Sequence, residues 1–171
     1  MRTTQTLFNF LKNIVLMGGL FIILSIVVDW YRKPTAPIEF SQQVLYDTQV
    51  QPKVLAQMSY DKPMLLYFWG SWCSFCKYTS PSIQQLAKEG VPVLAVALKS
   101  GSVEDVNHYL AQENYDFTTI NDPTGAFSKE WDIQATPTIL IIKDGKIINH
   151  TTGLTSLWGL KIRLWLADIM G

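Results

Sequence analysis

The sequence predicts an α/β domain, with a mixed central sheet and helices on both faces, preceded by one N-terminal transmembrane helix. Three observations support this prediction. An apolar stretch lies close to the N-terminus, strand and helix patterns alternate in the middle of the chain, and a hairpin signal follows them. We divide the 171 residues into an N-terminal tip and anchor (1–33), a linker (34–37) and a domain with its own core (38–171).

The N-terminal apolar stretch predicts the membrane helix. Residues 13–28 carry no charge, and residues 7–28 would form about 33 Å of helix, enough to cross a hydrocarbon core of about 30 Å. A cleaved signal peptide is the alternative, but this stretch is longer than the apolar region of a signal peptide and no small-residue cleavage site follows it. Since the charges flanking the stretch nearly balance, they do not orient the anchor.

The elements of the domain follow from local patterns. A continuous apolar run is typical of a strand covered on both faces, Ser102 is a good N-cap, and Asp144-Gly145 is a strong hairpin signal. In chain order we expect a strand or hairpin over 38–46 that turns at 47–48, a short helix near 54–59, a strand over 64–69, a helix over 79–88, a strand over 91–98, a helix over 103–113, a strand over 117–120, a short helix ending near 131, strands over 138–143 and 146–151, and a helix over 156–169.

The last of these helices carries two apolar stripes. The first stripe is predicted to pack in the core and consists of Leu157, Leu160, Leu164 and Ala167. We expect the second stripe to be buried against the sheet as well, with a membrane-facing position as the alternative. It consists of Trp158, Ile162, Trp165 and Ile169.

Composition excludes several classes of protein. The 14 basic and 14 acidic side chains cancel, and charged residues make up only 16% of the chain. A charge-driven disordered chain is thereby excluded, and no basic stripe is available to neutralise the phosphates of a nucleic acid. Two cysteines are too few for a disulfide-dense secreted scaffold.

The two cysteines are spaced for redox chemistry. Cys73-Ser74-Phe75-Cys76 lies between a buried strand and a helix, and cysteines three residues apart in a helical turn can form a disulfide. Unpaired N–H groups and the helix dipole favour the thiolate of Cys73, which we expect to be the exposed nucleophile, with Cys76 as the resolving thiol. A purely structural disulfide that closes so short a loop would stabilise the fold by only about 2 kcal/mol. Zinc would need four ligands, and the chain has no cysteine besides these two. We therefore expect no metal and no cofactor beyond this redox-active disulfide.

Two motifs resemble those of thioredoxins. The run Phe68–Lys77, with Pro81 after it, is similar to the thioredoxin active site, and Ala135-Thr136-Pro137-Thr138 is similar to its second signature. The resemblance implies a thioredoxin-like fold in which Pro137 is cis and lies against the cysteine pair, which leaves the backbone of Thr136 free to pair with a substrate segment. Trp69 is expected in the core. Trp72 and Phe75 are expected at the surface, where they would form an apolar apron for protein substrates.

A subtype is suggested by features outside these motifs. The separation of Cys76 from Pro137 exceeds that of a minimal thioredoxin, and a strand-helix insertion near Val91–Glu113 resembles the membrane-anchored TlpA/ResA-like branch. Within that branch, four runs resemble the suppressor-of-copper-sensitivity protein D type, and these are 65–69, 96–101, 121–125 and 158–167.

This resemblance implies a protein-disulfide oxidoreductase on a bacterial inner membrane, with its C-terminal domain in the periplasm and its N-terminal tip in the cytoplasm. We expect a reductase that serves envelope or copper-stress proteins and receives electrons from a transmembrane carrier. A dithiol oxidase is the alternative enzyme, and a non-catalytic copper(I)-binding or partner-binding module is the alternative of another class, since two thiolates can hold that ion.

The sequence departs from the thioredoxin pattern in two ways. Tyr67 stands where many thioredoxins place a buried acid, and with an ordinary pKa of about 10 it is a poor base for Cys76. Water, Glu39 or Glu104 would then take that proton. The dipeptide between the cysteines is Ser74-Phe75, which leaves the reduction potential open between about −270 and −120 mV.

Overall fold

The chain divides into two units, Met1–Lys33 and Pro34–Gly171. The computed structural model describes residues 12–20, 23–24, 27 and 34–170. Residues 12–20 are helical, and apolar side chains there are exposed, with Val15 at 71% and Met17 at 72%. The expected membrane helix over 7–28 lies partly outside the described residues. Within the described ranges, no helix combines the length and the hydropathy needed to span a membrane.

The second unit is built on a five-stranded mixed sheet and a two-stranded hairpin. The hairpin strands are β1 (Val44–Tyr46) and β2 (Pro52–Val54), which pair antiparallel. The sheet has the order β5-β4-β3-β6-β7, in which β3, β4 and β5 are parallel and β6 and β7 are antiparallel to their neighbours. Its strands are β3 (Met64–Trp69), β4 (Val93–Leu98), β5 (Thr119–Asp122), β6 (Thr138–Lys143) and β7 (Lys146–Thr152).

Five helices and one 3-10 turn accompany these strands. The 3-10 turn spans Phe40–Gln42. The helices are α1 (Leu55–Met58), α2 (Cys76–Lys88), α3 (Val103–Gln112), α4 (Ala126–Glu130) and α5 (Leu157–Met170).

Strand β3 is buried along its whole length because both faces of the sheet are covered. Successive side chains of a strand point to opposite faces. Leu65, Tyr67 and Trp69 accordingly pack in one core cluster with residues of α2, α3 and α5. The alternate residues of β3 pack in a second cluster with Leu55 of α1 and Trp131. The prediction of a mixed sheet with helices on both faces is confirmed.

Most predicted elements are present, with shifts at their ends. Helix α2 begins at Cys76 rather than at residue 79, and β5 lies two residues later than expected. Strand β4, which the resemblance assigns to an insertion, lies between β3 and β5 inside the sheet. The predicted N-cap of α3 is confirmed, because Ser102 Oγ accepts a hydrogen bond from the Asp105 N–H, and the Asp105 carboxylate accepts one from the Ser102 N–H.

The expected burial of the second stripe of α5 is wrong. Leu160, Leu164 and Ala167 face the sheet, but the second stripe is exposed, with Trp158 at 72% and Trp165 at 62%. Ile162 and Ile169, also of this stripe, are 57% and 61% exposed. Helix α5 contacts β6, β7 and α2, all on its inner side. A helix on the outside of a domain buries one stripe only, so a second stripe around the helix stays outside.

Candidate active site

The two cysteines form a disulfide at the point where β3 gives way to α2. Their Cα atoms are 5.3 Å apart. The Cys73 N–H donates to the Gly70 carbonyl at 3.0 Å, and the Cys76 N–H donates to the Cys73 carbonyl at 3.1 Å. These tight turns bring the two side chains together at the first residue of the helix, as the spacing predicts.

The environment of the pair favours a thiolate on Cys73. The Cys76 N–H lies 3.1 Å from Cys73 Sγ and can donate to it, and the pair lies at the N-terminal end of the 13-residue helix α2. Hydrogen bonding to the charged form and the positive end of the helix dipole both stabilise a thiolate in the reduced protein.

Cys73 is less accessible than expected. It is only 5% exposed, and Cys76 is 1% exposed. Both cysteines belong to the core cluster that contains Trp69, so the chain around them is packed rather than open. The expectation that Cys73 is exposed is wrong for this disulfide state, because both cysteines are buried, and Cys73 is only slightly more exposed than Cys76.

Exposed aromatic side chains flank the two cysteines in the chain, as expected. Trp72 and Phe75 are each 58% exposed, and Tyr78 is 75% exposed, whereas Trp69 is fully buried. Burying such large apolar surfaces against a partner would contribute to binding. The residues around the buried pair therefore present exposed apolar area.

Two hydrogen-bond links tie the loop before Cys73 to the end of β4. The Ser71 N–H donates to Ser100 Oγ at 3.0 Å, and that hydroxyl donates to the Leu98 carbonyl at 3.1 Å. The indole Nε1 of Trp72 donates to the same carbonyl at 3.0 Å. Sequence reasoning missed Ser100, although it lies in the run 96–101 that carries the family resemblance.

A side chain at residue 70 would collide with the Trp72 ring where it now lies. A Cβ atom at Gly70 would lie 2.7 Å from the indole, a distance that real Cβ contacts do not reach. The ring therefore lies against the backbone of the active-site loop.

The Thr136–Pro137 peptide bond is cis, as the resemblance implies. Pro137 is buried and Thr136 is half-buried. The segment is held on both sides, because the Gly153 N–H donates to the Pro137 carbonyl at 2.8 Å and Thr138 Oγ1 donates to the Ala135 carbonyl at 2.8 Å.

Tyr67 is not a base for the resolving cysteine. It is fully buried, and its hydroxyl shares a 2.9 Å hydrogen bond with Ser80 Oγ. Burial raises the pKa of Tyr67 far above its ordinary value, so the phenol stays protonated at neutral pH.

The carboxylates offer no obvious replacement for that base. Asp122 is the buried carboxylate in the described part of the chain, and it accepts hydrogen bonds from the N–H groups of Phe127 and Ser128. Glu104 is exposed in the first turn of α3, where hydrogen bonds from its own backbone and from Ser102 lower its pKa. Glu39 precedes the 3-10 turn with a left-handed backbone.

The described residues contain no group of three or more His, Cys, Asp or Glu side chains placed to hold a metal ion. The two cysteines are joined to each other, so their chemistry in this state is that of a disulfide.

Comparison with known proteins identifies the family. Residues 35–151, most of the chain, match the AhpC/TSA family. The chain belongs to the AhpC/TSA family. A "Thioredoxin-like protein" of Haemophilus influenzae is 48% identical over 161 residues, which cover 94% of this chain and 96% of that protein.

Two other relatives of this AhpC/TSA chain have names that describe disulfide oxidoreductases. The "Thiol-disulfide oxidoreductase ResA" of Bacillus thuringiensis is 30% identical over 97 residues, which cover 54% of this chain and 56% of ResA, so the match spans about half of each. The crystal structure of a secreted Mycobacterium tuberculosis disulfide oxidoreductase, homologous to E. coli DsbE, has a TM-score of 0.62 at 25% identity and covers 76% of this chain and 99% of that one.

The thioredoxin-like fold and the enzyme class are thereby confirmed. The relatives are thiol-disulfide oxidoreductases, and this AhpC/TSA member carries a Cys-x-x-Cys disulfide at the start of a helix. The roles of Cys73, Cys76, Trp72, Phe75, Thr136 and Pro137 stay predictions.

Proposed function

We propose that this protein is a membrane-tethered periplasmic reductase that exchanges disulfides with partner proteins through its Cys73–Cys76 pair. The observation that carries the proposal is the position of the pair, at the start of α2 with a backbone N–H directed at Cys73 Sγ. This arrangement lowers the cost of the thiolate that disulfide exchange requires.

The reaction balances over two exchange steps. The Cys73 thiolate of the reduced protein attacks a partner disulfide, which forms a mixed disulfide and releases one partner sulfur as a thiolate that takes up a proton. Cys76 then loses its proton and attacks Cys73 Sγ, which releases the second partner thiol and forms the Cys73–Cys76 disulfide. Two electrons pass from the protein to its partner, and a dithiol donor must return them.

The exposure of the two cysteine residues supports this division of roles. Cys73 is the more exposed of the two, so a partner sulfur reaches it first, whereas Cys76 is reached from within the protein. Because Tyr67 stays protonated and Asp122 is occupied by α4, we propose that the Cys76 proton leaves through water.

Partner binding would use the aromatic surface and the cis-proline segment. Trp72 and Phe75 offer exposed apolar area on the cysteine loop. An extended partner segment could pair with the backbone of Thr136, because a cis proline follows it and main-chain pairing is independent of side-chain identity.

Tethering and location are supported by the sequence. Residues 13–28 are uncharged and apolar, which is typical of a membrane helix. Disulfides persist in oxidising compartments, so the redox domain would lie on the periplasmic side of an inner membrane. The resemblance to the suppressor-of-copper-sensitivity type supports envelope or copper-stress proteins as the partners. It also supports a transmembrane electron carrier as the electron donor.

Reduction of insulin by the full chain, purified in detergent, tests the enzymatic proposal. With dithiothreitol as the donor, the wild-type protein should accelerate the precipitation of insulin chains, and Cys73→Ser should abolish this acceleration. No acceleration by wild type, together with tight copper(I) binding by the reduced protein, would favour the binding-module alternative.

The reduction potential tests the direction of electron flow. Equilibration of the pair with glutathione or dithiothreitol buffers should give a value near the reducing end of the known range, about −270 mV. A value near about −120 mV would reverse the proposal in favour of a dithiol oxidase.

A further inference from the structure

A cleft of about 420 Å³ lies beside the cysteine loop. One wall is Trp72, the residue before Cys73. Leu98 and Lys99 come from the run 96–101, and Thr124 and Gly125 come from the run 121–125. The proposed reaction gives these two runs no role, yet the structure brings them together beside Trp72. The volume lies within the range of about 300–1,000 Å³ that ligand sites occupy.

The wall nearest Cys73 is preformed. The Trp72 indole donates to the Leu98 carbonyl, and its ring lies so close to Gly70 that a Cβ there would be only 2.7 Å away. The ring therefore lies against the loop and is hydrogen-bonded to the end of β4, although 58% of the residue is exposed to solvent. A preformed wall lowers the entropic cost of binding.

The part of the cleft around Lys99 and Gly125 is also held in place. Lys99 has a left-handed backbone with φ of 45°, and its N–H donates to the Asp122 carbonyl at 2.9 Å. A Cβ at Gly125 would lie 2.8 Å from Lys99 Cε, so the lysine stem passes directly over this glycine. Gly125 itself has φ of 80°, which a side chain would strain.

Two lysines line the cleft, and neither forms an ion pair with another described residue. Lys99 and Lys129 both line it and are exposed. The ion pairs among the described residues involve other lysines. One acidic residue, Asp132, lines the cleft as well. Two cations against one anion leave the cleft positive, and a carboxylate is the complementary group that a polypeptide offers.

The cleft is connected to the cysteine loop through Trp72, which lines it and directly precedes Cys73 in the chain. Neighbouring Cα atoms lie about 3.8 Å apart, and an extended chain advances about 3.3 Å per residue. A partner segment that crosses Cys73 in the direction of Trp72 would advance about 7–10 Å over two or three residues.

We propose that this cleft selects partner segments that carry an acidic side chain two or three residues from the reacting cysteine. Lys99 and Lys129 pair with that carboxylate, and Trp72 packs against the aliphatic part of the side chain. The proposal rests on the proposed function, since it names a substrate class for the same site.

Matched disulfide peptides test the proposal. One peptide of each pair carries Glu at the second and third residues on both sides of its cysteine, and the other carries Gln there. The second-order rate constant of peptide reduction is measured with the full-chain protein in detergent, at low and at high salt. A small uncharged disulfide, bis(2-hydroxyethyl) disulfide, reports the intrinsic reactivity of Cys73.

The wild-type protein should reduce the Glu peptide about three- to tenfold faster than the Gln peptide, as expected for one or two exposed ion pairs. Salt should diminish this preference. The double substitution of Lys99→Gln and Lys129→Gln should abolish it with no effect on the uncharged disulfide, and Asp132→Asn should enlarge it. Lys88→Gln with Lys146→Gln is the matched control, because it removes the same charge from exposed positions outside the cleft.

Two results would overturn the proposal. One is equal reduction of the Glu and Gln peptides by wild type, and the other is an equal loss of preference in the Lys88/Lys146 control, which would show an effect of net charge alone. In either case reduction of the uncharged disulfide would leave the proposed function standing. Failure to reduce any of the disulfides would instead refute the proposed function.

Discussion

The replacement of Tyr67 by Phe tests how the active-site helix is held to the sheet. Tyr67 lies in the centre of β3, fully buried, and its hydroxyl shares a 2.9 Å hydrogen bond with Ser80 of α2, which is 1% exposed. Because both hydroxyls are removed from water, neither can exchange its partner for solvent. Removal of one leaves the other unpaired, which costs about 1–3 kcal/mol.

We therefore expect Tyr67→Phe to lower the free energy of unfolding by about 1–3 kcal/mol, and Ser80→Ala to lower it by a similar amount. The double variant should lose less than the sum of the two, since it leaves no hydroxyl unpaired. Urea denaturation of residues 34–171, followed by circular dichroism at neutral pH, measures the three values. Strictly additive losses would refute the reasoning, because they would mean that the two hydroxyls do not satisfy each other.

The same substitution has a pH signature. Burial raises the pKa of Tyr67 above the value of about 10 that it has in the unfolded chain. The folded protein therefore holds the phenolic proton more tightly, and this contribution to stability is fully present below about pH 10 and is lost as the pH rises above it. Between about pH 9 and about pH 11 the wild-type domain should lose more stability than Tyr67→Phe. Equal losses would show that the phenol titrates normally.

Three further substitutions have distinct expected outcomes. Ser102→Ala removes the reciprocal hydrogen bonds with Asp105 and should lower the free energy of unfolding by about 1 kcal/mol, so an unchanged urea midpoint would contradict the cap. Gly70→Ala places a Cβ 2.7 Å from the Trp72 indole and should displace the ring. Insulin reduction should then slow and the near-ultraviolet circular dichroism should change. An unaltered spectrum and rate would contradict this expectation. Trp165→Ser removes a side chain that is 62% exposed and should change the unfolding free energy by no more than about 0.5 kcal/mol, whereas a loss above about 2 kcal/mol would indicate burial.

Local patterns were sufficient for the elements that position the site. The continuous run in β3 is buried on both faces, Ser102 caps α3, and Asp144-Gly145 joins β6 to β7. In each case the signal lies within a few neighbouring residues. The spacing of the cysteines likewise predicts their proximity, because a tight turn from Cys73 to Cys76, just before α2, brings both sulfurs together.

Features that depend on distant parts of the chain were not predictable in the same way. Trp158 and Trp165 were expected to be buried, but which stripe of α5 faces the sheet depends on its contacts with β6, β7 and α2. The burial of Cys73 results from its packing in the core cluster that also holds Trp69, which its helix-terminal position does not reveal.

The hydrogen-bonded links of the active-site loop show the same limit. Ser100 lies 29 residues from Ser71 in the chain, and only the pairing of β4 with β3 brings them together. A serine after a buried strand has no local pattern that marks it as a partner of this loop. Its hydrogen bonds to the Ser71 N–H and the Leu98 carbonyl are visible only in the folded chain.

The central claim is that Cys73 attacks the partner and Cys76 resolves the product, and trapping of the mixed disulfide tests it most directly. The full-length Cys76→Ser variant is reduced and mixed with a peptide disulfide, and the covalent adduct is mapped by mass spectrometry. We predict a stable adduct on Cys73, whereas the reduced wild-type protein should release its peptide and recover the Cys73–Cys76 disulfide. Cys73→Ser should form little adduct, because Cys76 is 1% exposed. An adduct that forms faster on Cys76 in Cys73→Ser, or no adduct in either variant, would contradict the account.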